Sequence, residues 1–140
     1  MIPNVKLVME PENLDNASPA TVSRMGIIYV SDSSLGWQPL VQSWIQARRI
    51  SEQAILKLLL DKLLEPLIEF VYTSLKHVMF VMKCSVIASI LKIVDCFLKP
   101  WRETKEVIPD DRMERMVVYG VMWGMGGILE LDERKKLDQH

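Results

Sequence analysis

Cysteine and histidine are scarce in this chain of 140 residues, with two of each. Cys84 and Cys96 are too few for a disulfide scaffold. Both fall in apolar helical sequence, where a free thiol behaves as a small buried hydrophobe, so a reducing compartment is the simpler reading. His77 and His140 stand far apart and the cysteines lack zinc spacing, which argues against a metal site. Two histidines also leave no Ser/His/Asp or Cys/His constellation to argue. There is no G-x-x-x-x-G-K-[ST] loop to cradle phosphates, and no strand ends in paired acidic residues that could hold magnesium. A net charge of −1 gives no general attraction to nucleic acid or anionic lipid. No basic start followed by an apolar stretch marks a secretory signal. The most apolar region, His77 to Leu98, is interrupted by Lys83, Lys92 and Asp95. A membrane span needs about 20 largely uncharged residues, so this region is expected to be a buried helix.

What is present is a globular composition, 49% hydrophobic and 25% charged, sufficient for a packed core. Nine methionines suit the filling of irregular core gaps. The first third reads as short strands and turns. Val5–Met9 alternates and ends before Pro11, as a short strand would. Glu12–Ala17 is a loop rich in Asn and Asp. Ser18-Pro19 marks a helix cap followed by proline in the first turn, and Gly26 closes that helix early. Gly26–Val30 is a continuous apolar run, the pattern of a strand buried on both faces, and Ser31–Ser34 breaks it.

The remainder reads as helices. Trp37-Gln38-Pro39 opens one with Leu40, Val41, Trp44 and Ile45 on one face, ending in Arg48-Arg49, favourable at the negative end of the helix dipole. Ser51 caps a second, with Ile55, Leu58, Leu59 and Leu63 recurring, and Pro66 is expected to kink or split it. Leu67–Leu75 continues the pattern. Cys84–Leu98 is a further helix ended by Lys99-Pro100, and Trp101–Pro109 a charged surface loop. Arg112–Trp123 is helical, capped by Asp110 or Asp111. Gly124, Gly126 and Gly127 break it instead of opening a phosphate-binding helix N-terminus. Glu130–His140 is a polar, exposed terminal helix or tail. Two strands alone would leave exposed sheet edges, which suggests a chain that begins inside a larger sheet domain.

Arg24 lies between a short capped helix and an apolar strand. Two readings stay open on physical grounds. One is a salt bridge or a helix C-cap contact. The other is a fixed guanidinium fork presented to a neighbour's phosphates.

The run Ala17-Ser18-Pro19-Ala20-Thr21-Val22-Ser23-Arg24 closely resembles dynein heavy chains in the second AAA+ module of their motor ring. Leu7-Val8-Met9-Glu10 before it, Ile27-Ile28-Tyr29-Val30 after it, Leu35–Pro39 with Trp44, and Trp123–Glu130 with Arg134 extend the resemblance over roughly residues 3 to 139. The outer-arm axonemal group is the most similar. The resemblance implies a mainly α chain with a short β portion: the C-terminal end of an AAA+ α/β subdomain (residues 1–34), its helical lid (35–128) and a polar terminal helix or tail (129–140). It places the phosphate loop and magnesium-binding strand upstream of Met1, so the chain is not expected to hydrolyse ATP by itself.

By the same resemblance, Arg24 matches the arginine finger that the second module presents to nucleotide on the first. Glu10 falls at the sensor-I position, where a carboxylate in place of a neutral amide adds repulsion beside a γ-phosphate. Asn13 is a polar stand-in there or a loop cap. Lys83 falls at the sensor-II position, keeping the charge of an arginine but losing its bidentate fork; a solvated or snorkelling lysine is the other reading. The implied cofactor is ATP or ADP with magnesium in the full-length module, with none expected on the isolated segment. The implied partners are neighbouring AAA+ modules of the same heavy chain and, through the full complex, dynein intermediate and light chains and microtubules. The implied location is the cytoplasmic cytoskeleton, in a cilium or flagellar axoneme. Two readings compete: a free-standing helical interaction module, and a helical membrane protein, against which the charges within residues 77 to 98 count.

Overall fold

A computed structural model describes residues 6, 8–11, 13–30, 36–104 and 106–139. The described residues fall into two compact units that divide between Ser34 and Leu35. Among its described residues the first holds one short helix, α1 (Pro19–Arg24). Ser18 is its cap: the Ser18 Oγ accepts from the Thr21 N–H at 3.2 Å, which satisfies one of the otherwise orphaned first-turn donors. Pro19 costs nothing there, since its missing N–H would have had no intrahelical acceptor. The helix stops at Met25, whose backbone turns extended.

Neither expected strand forms among the described residues of this unit. Val5 and Leu7 of the first, and the Ser31–Ser34 break after the second, lie outside the described residues, as do Glu12 and His140. Among the described residues Ile27–Val30 has no paired neighbour, and its side chains stand in solvent, with Ile28 88% exposed. An apolar run is stable as a strand only when other strands satisfy its backbone and cover its faces.

Among the described residues, the second unit is a bundle of five helices: α2 (Gln38–Gln46), α3 (Ile50–Ser74), α4 (Lys83–Thr104), α5 (Asp110–Gly126) and α6 (Leu131–Asp138). Leu56, Leu60 and Leu64 recur every fourth residue along α3, and Ile87, Ile90, Val94 and Leu98 every third or fourth along α4. Residues at those spacings share a helix face. The two stripes meet Met113, Val117 and Met125 of α5 in one core.

Several boundaries differ from the sequence expectations for local physical reasons. Pro66 does not split α3, and Pro100 does not end α4, which runs to Thr104. Both prolines are exposed, so the carbonyls they leave unpaired can turn to water instead of being stranded in the core. Residues 101–104 are therefore helix, and Ile108 in the loop beyond is buried. Arg49, not Ser51, occupies the cap of α3, and Pro109 that of α5. His77–Met82 is not helical. An antiparallel bridge joins His77 to Leu129, with Val78 N–H donating to the Ile128 carbonyl at 2.9 Å. That bridge diverts the chain, leaving Val78, Met79 and Phe80 exposed. Cys96 is exposed and Cys84 half-buried, both free, so neither is a fully buried hydrophobe.

The glycines after Tyr119 play a different part from the expected helix break. α5 continues through Gly124 to Gly126, and Gly120 and Gly124 face α4. A Cβ on Gly120 would lie 2.7 Å from the Val94 Cγ2, and one on Gly124 would lie 2.3 Å from the Ile90 Cγ1. Absent side chains let the two helix backbones approach closely. The terminal helix is also more than an exposed tail. Glu133 is buried, and Leu137 packs against the core. The Glu133 carboxyl is held below the usual carboxylate range, chiefly by the hydrogen bond from the Lys136 ammonium at 2.8 Å.

Asp95 ties the turn between α2 and α3 to α4. It accepts from Arg48, just past α2, and from Arg102 near the end of α4 at 2.8 Å. Arg48 also donates to the Trp44 carbonyl at 3.1 Å and lies over the Trp44 ring at 4.6 Å, as cations do at a helix C-terminus. Its side chain is only 12% exposed, against 42% for Asp95. Asp95→Ala leaves a mostly buried guanidinium without its carboxylate. The expected loss is about 1–2 kcal/mol, at the lower end for charged hydrogen bonds because Asp95 is partly solvated. Urea unfolding of the 140-residue chain reads it as a lower midpoint at unchanged slope; an unmoved midpoint would mean that Trp44 alone positions Arg48.

Candidate functional site

The sequence-derived candidates fall in both units, and each is placed by its own surroundings. Arg24 is the last residue of α1, held by the Ser18 cap at one end and the Met25 N–H bonded to the Val22 carbonyl at 3.3 Å at the other. Its side chain is exposed. Among the described residues it makes no salt bridge and caps no carbonyl, so the two bland roles open to it in the sequence have no partner there. A six-residue capped helix thus holds the base of an unengaged, permanently charged fork.

Glu10 is exposed in non-helical chain. Asn13 accepts through Oδ1 from the Asp15 N–H at 3.4 Å, the local turn contact by which asparagine stabilises a loop. That contact is the loop-cap reading of Asn13.

Lys83 opens α4 in the second unit and is exposed. Its ammonium lies 5.4 Å from the centre of the Tyr72 ring, within the range of cation–π attraction. Tyr72 is itself well fixed. Its hydroxyl donates to the Val81 carbonyl at 2.7 Å, and its ring meets His77 edge-on at 4.9 Å. Burial, with a smaller contribution from the Cys84 thiol, pushes the Tyr72 hydroxyl above its ordinary value. It is therefore a neutral donor at physiological pH. The lysine is neither loose in solvent nor buried; it rests on an aromatic platform at a helix start, with its charge still open to a ligand.

Sequence reasoning passed over one charged group. Glu52, in the first turn of α3, is 4% exposed, and its Oε2 has no hydrogen-bond partner. The available signal was a glutamate three residues beyond the helix cap, the position from which an acid reaches back to the helix start. Among the described residues, no group of three or more His, Cys, Asp or Glu side chains could hold a metal ion, and no helix is long and apolar enough to cross a membrane.

These features have relatives. Residues 56–140 match the family model described as the dynein heavy chain AAA lid domain. Over 135 residues, 96% of this chain, the sequence is 44% identical to the dynein gamma chain of the flagellar outer arm of Chlamydomonas reinhardtii. It is 38% identical over 99% of its length to mouse dynein axonemal heavy chain 8, and 34% identical over 95% to a ciliary dynein beta chain of the sea urchin Tripneustes gratilla. The chain spans about 3% of the length of each of these relatives. No solved structure matches. With a lid-domain match over more than half its length, and a helical bundle where that lid should be, the chain belongs to the dynein heavy chain family.

Proposed function

We propose that, within a full-length heavy chain, this segment belongs to the second AAA+ module of a microtubule motor and serves two nucleotide sites. Arg24 is the arginine finger for ATP bound to the first module. The helical bundle is the lid of a site on the second module that holds ATP or ADP with magnesium without turning it over. Residues 1–34 are then the end of the α/β subdomain and residues 35–128 the lid. The observation that carries this reading is the state of Arg24: fixed at its base by a capped helix, exposed, and without an ion pair among the described residues. An exposed guanidinium without an ion pair is free to meet a phosphoryl group that a neighbouring module brings to it. The exposed apolar run Ile27–Val30 supports the same reading, because it has the composition of a strand that a larger sheet would cover.

The chemistry this chain contributes is electrostatic. Arg24 would meet charge developing on the phosphoryl oxygens with a planar fork that can make two parallel bonds. Lys83 would contribute a point charge from the lid, and lid motion as a rigid body would carry the site's state to the next module. Microtubules and the dynein intermediate and light chains are partners only of the whole complex, and a cilium or flagellum its setting, as the names of the relatives suggest. The decisive experiment is Arg24→Ala in a full-length heavy chain, read as microtubule-stimulated ATPase; unchanged turnover would sink the finger assignment.

Lys83 has its own test. In a full-length chain, Lys83→Ala is expected to speed the loss of nucleotide from the second module during desalting by about tenfold, the scale of one charged hydrogen bond. Full retention would leave Lys83 as a lysine resting on Tyr72 and nothing more.

A further inference from the structure

A groove of about 750 Å³ runs between α3, α5 and α6, within the second unit. Its floor is apolar: Leu63 and Leu67 of α3 and Leu137 of α6 lie there half-buried. Met122 and Trp123 of α5 line it beside them and stand 50% and 61% exposed. Trp123 is held in place by its neighbours. Its ring lies 6.0 Å from that of Tyr119, which meets Phe97 edge-on at 5.2 Å. The rim is basic, with Lys62, Arg134 and Lys135 against one acid, Asp138. Lys62 and Arg134 make no salt bridge among the described residues. Lys135 has one exposed contact, to Asp132 at 3.8 Å, which water screens. The Arg134 Nε donates to the Leu129 carbonyl at 3.3 Å. That bond fixes the stem of the arginine and leaves the two ends of its fork to a partner.

Exposed tryptophan and methionine over an apolar floor make a continuous patch, which on a soluble protein marks an interaction surface. Tryptophan and arginine are also the side chains that carry most of the energy at such surfaces. The excess of cations on the rim sets the charge of the occupant: apolar on one side, acidic beside it. The walls set its size. Lys62–Leu67 and Met122–Gly127 each advance five residues, about 7.5 Å at 1.5 Å per residue. That length admits two side chains one helical turn, about 5.4 Å, apart. A flat anionic lipid surface would meet the cations but not the recessed Leu63, Leu67 and Leu137. We propose that the groove receives an amphipathic helix presented by another protein segment. An apolar pair spaced i, i+4 seats against Leu63, Leu67 and Trp123, and flanking carboxylates meet Lys62 and Arg134.

The test titrates the 140-residue chain with two helical peptides of about 15 residues while backbone amide resonances are followed. Both carry one leucine pair at i, i+4; one has glutamate and the other lysine at the flanking positions. The glutamate peptide should saturate, with shifts clustered in residues 62–67, 122–127 and 134–138, and should bind about tenfold or more tighter than the lysine peptide. Lys62→Glu with Arg134→Glu, both exposed, should reverse that preference. Trp123→Ala should weaken binding about tenfold or more. Gly126→Leu is a second, independent variant. A Cβ there would meet nothing within 4 Å, so the helix accepts it, and the side chain fills the groove while every rim charge stays. It too should weaken binding about tenfold or more. The proposal is overturned if neither peptide saturates, if the lysine peptide binds equally well, or if binding survives both Trp123→Ala and Gly126→Leu unchanged. It is also overturned if phosphatidylserine vesicles shift these residues and the peptides do not, or if sedimentation without peptide shows a dimer that Trp123→Ala dissociates.

Discussion

Arg24→Ala in a full-length heavy chain is expected to lower microtubule-stimulated ATP turnover by about 10²- to 10³-fold or more, while nucleotide binding at the first module stays within a few-fold of normal. The first figure follows from the chemistry assigned to the side chain. Arginine fingers in GTPases contribute about 10³–10⁵ in rate, because they stabilise charge that exists only as the phosphoryl group transfers. The second follows from the same fact: a group complementary to the transition state adds little to the ground-state complex. Arg24→Lys separates charge from geometry. It preserves the positive charge but loses the bidentate fork, so its turnover should fall between wild type and alanine. The local structure makes the variant a clean one. Arg24 is exposed with no ion pair among the described residues, so truncating it orphans no partner and should not disturb α1. Normal turnover in Arg24→Ala would remove the finger; loss of nucleotide binding would instead assign Arg24 a ground-state role.

The helices were legible wherever the apolar period was strong. The face was harder to read than the helix. Of the expected stripe Ile55, Leu58, Leu59 and Leu63, only Leu59 is buried and Leu58 is 63% exposed, while Leu56, Leu60 and Leu64 line the core. Leucine occupies both faces of α3, and the neighbours decide which is covered. The short capped helix before Arg24 was plain, because Ser18-Pro19 carries its own stereochemistry. The two prolines misled for an identifiable reason. The rule that proline breaks a helix assumes that the lost hydrogen bond matters, and on the solvent side of α3 and α4 water can replace it. The strands failed differently. Ile27–Val30 has strand composition, but strand structure is a property of pairs, and among the described residues it has no pair.

Of the candidate site, the type and position of each residue were legible, but its engagement was not. Nothing local told that Lys83 would lie over Tyr72, or that Arg24 would be unpaired among the described residues. Those depend on what the chain brings alongside. Glu52 shows the same limit from the other direction: it is flanked by the end of α4 and the start of α5, about 50 or more residues away in sequence, which lie beside the start of α3.

The close contact of α4 and α5 yields the largest stability effect expected here. Gly124→Ala should destabilise the 140-residue chain by about 1–2 kcal/mol, although alanine is the better helix former. Intrinsic propensity favours alanine over glycine by about 1 kcal/mol in a helix interior. Against this stands a Cβ placed 2.3 Å from the Ile90 Cγ1 and 3.4 Å from the Ile90 Cα. The first atom adjoins the Ile90 Cβ and is not the free end of a flexible chain; the second is backbone. Relief therefore requires the helices to separate or Ile90, which is fully buried, to leave its rotamer. Such overpacking costs about 1–3 kcal/mol or more. Ile90→Ala alone should cost about 2–5 kcal/mol, from lost burial and the cavity it leaves. The double variant decides between clash and mere intolerance of substitution. With Ile90 truncated, the Gly124→Ala methyl enters the space vacated, so the double should be less destabilised than the two singles together, by about 1–3 kcal/mol of coupling. Urea midpoints of the four proteins measure this directly. Additive losses would mean that Gly124 does not set the distance between α4 and α5, and a stabilised Gly124→Ala would mean that helix propensity outweighs the contact.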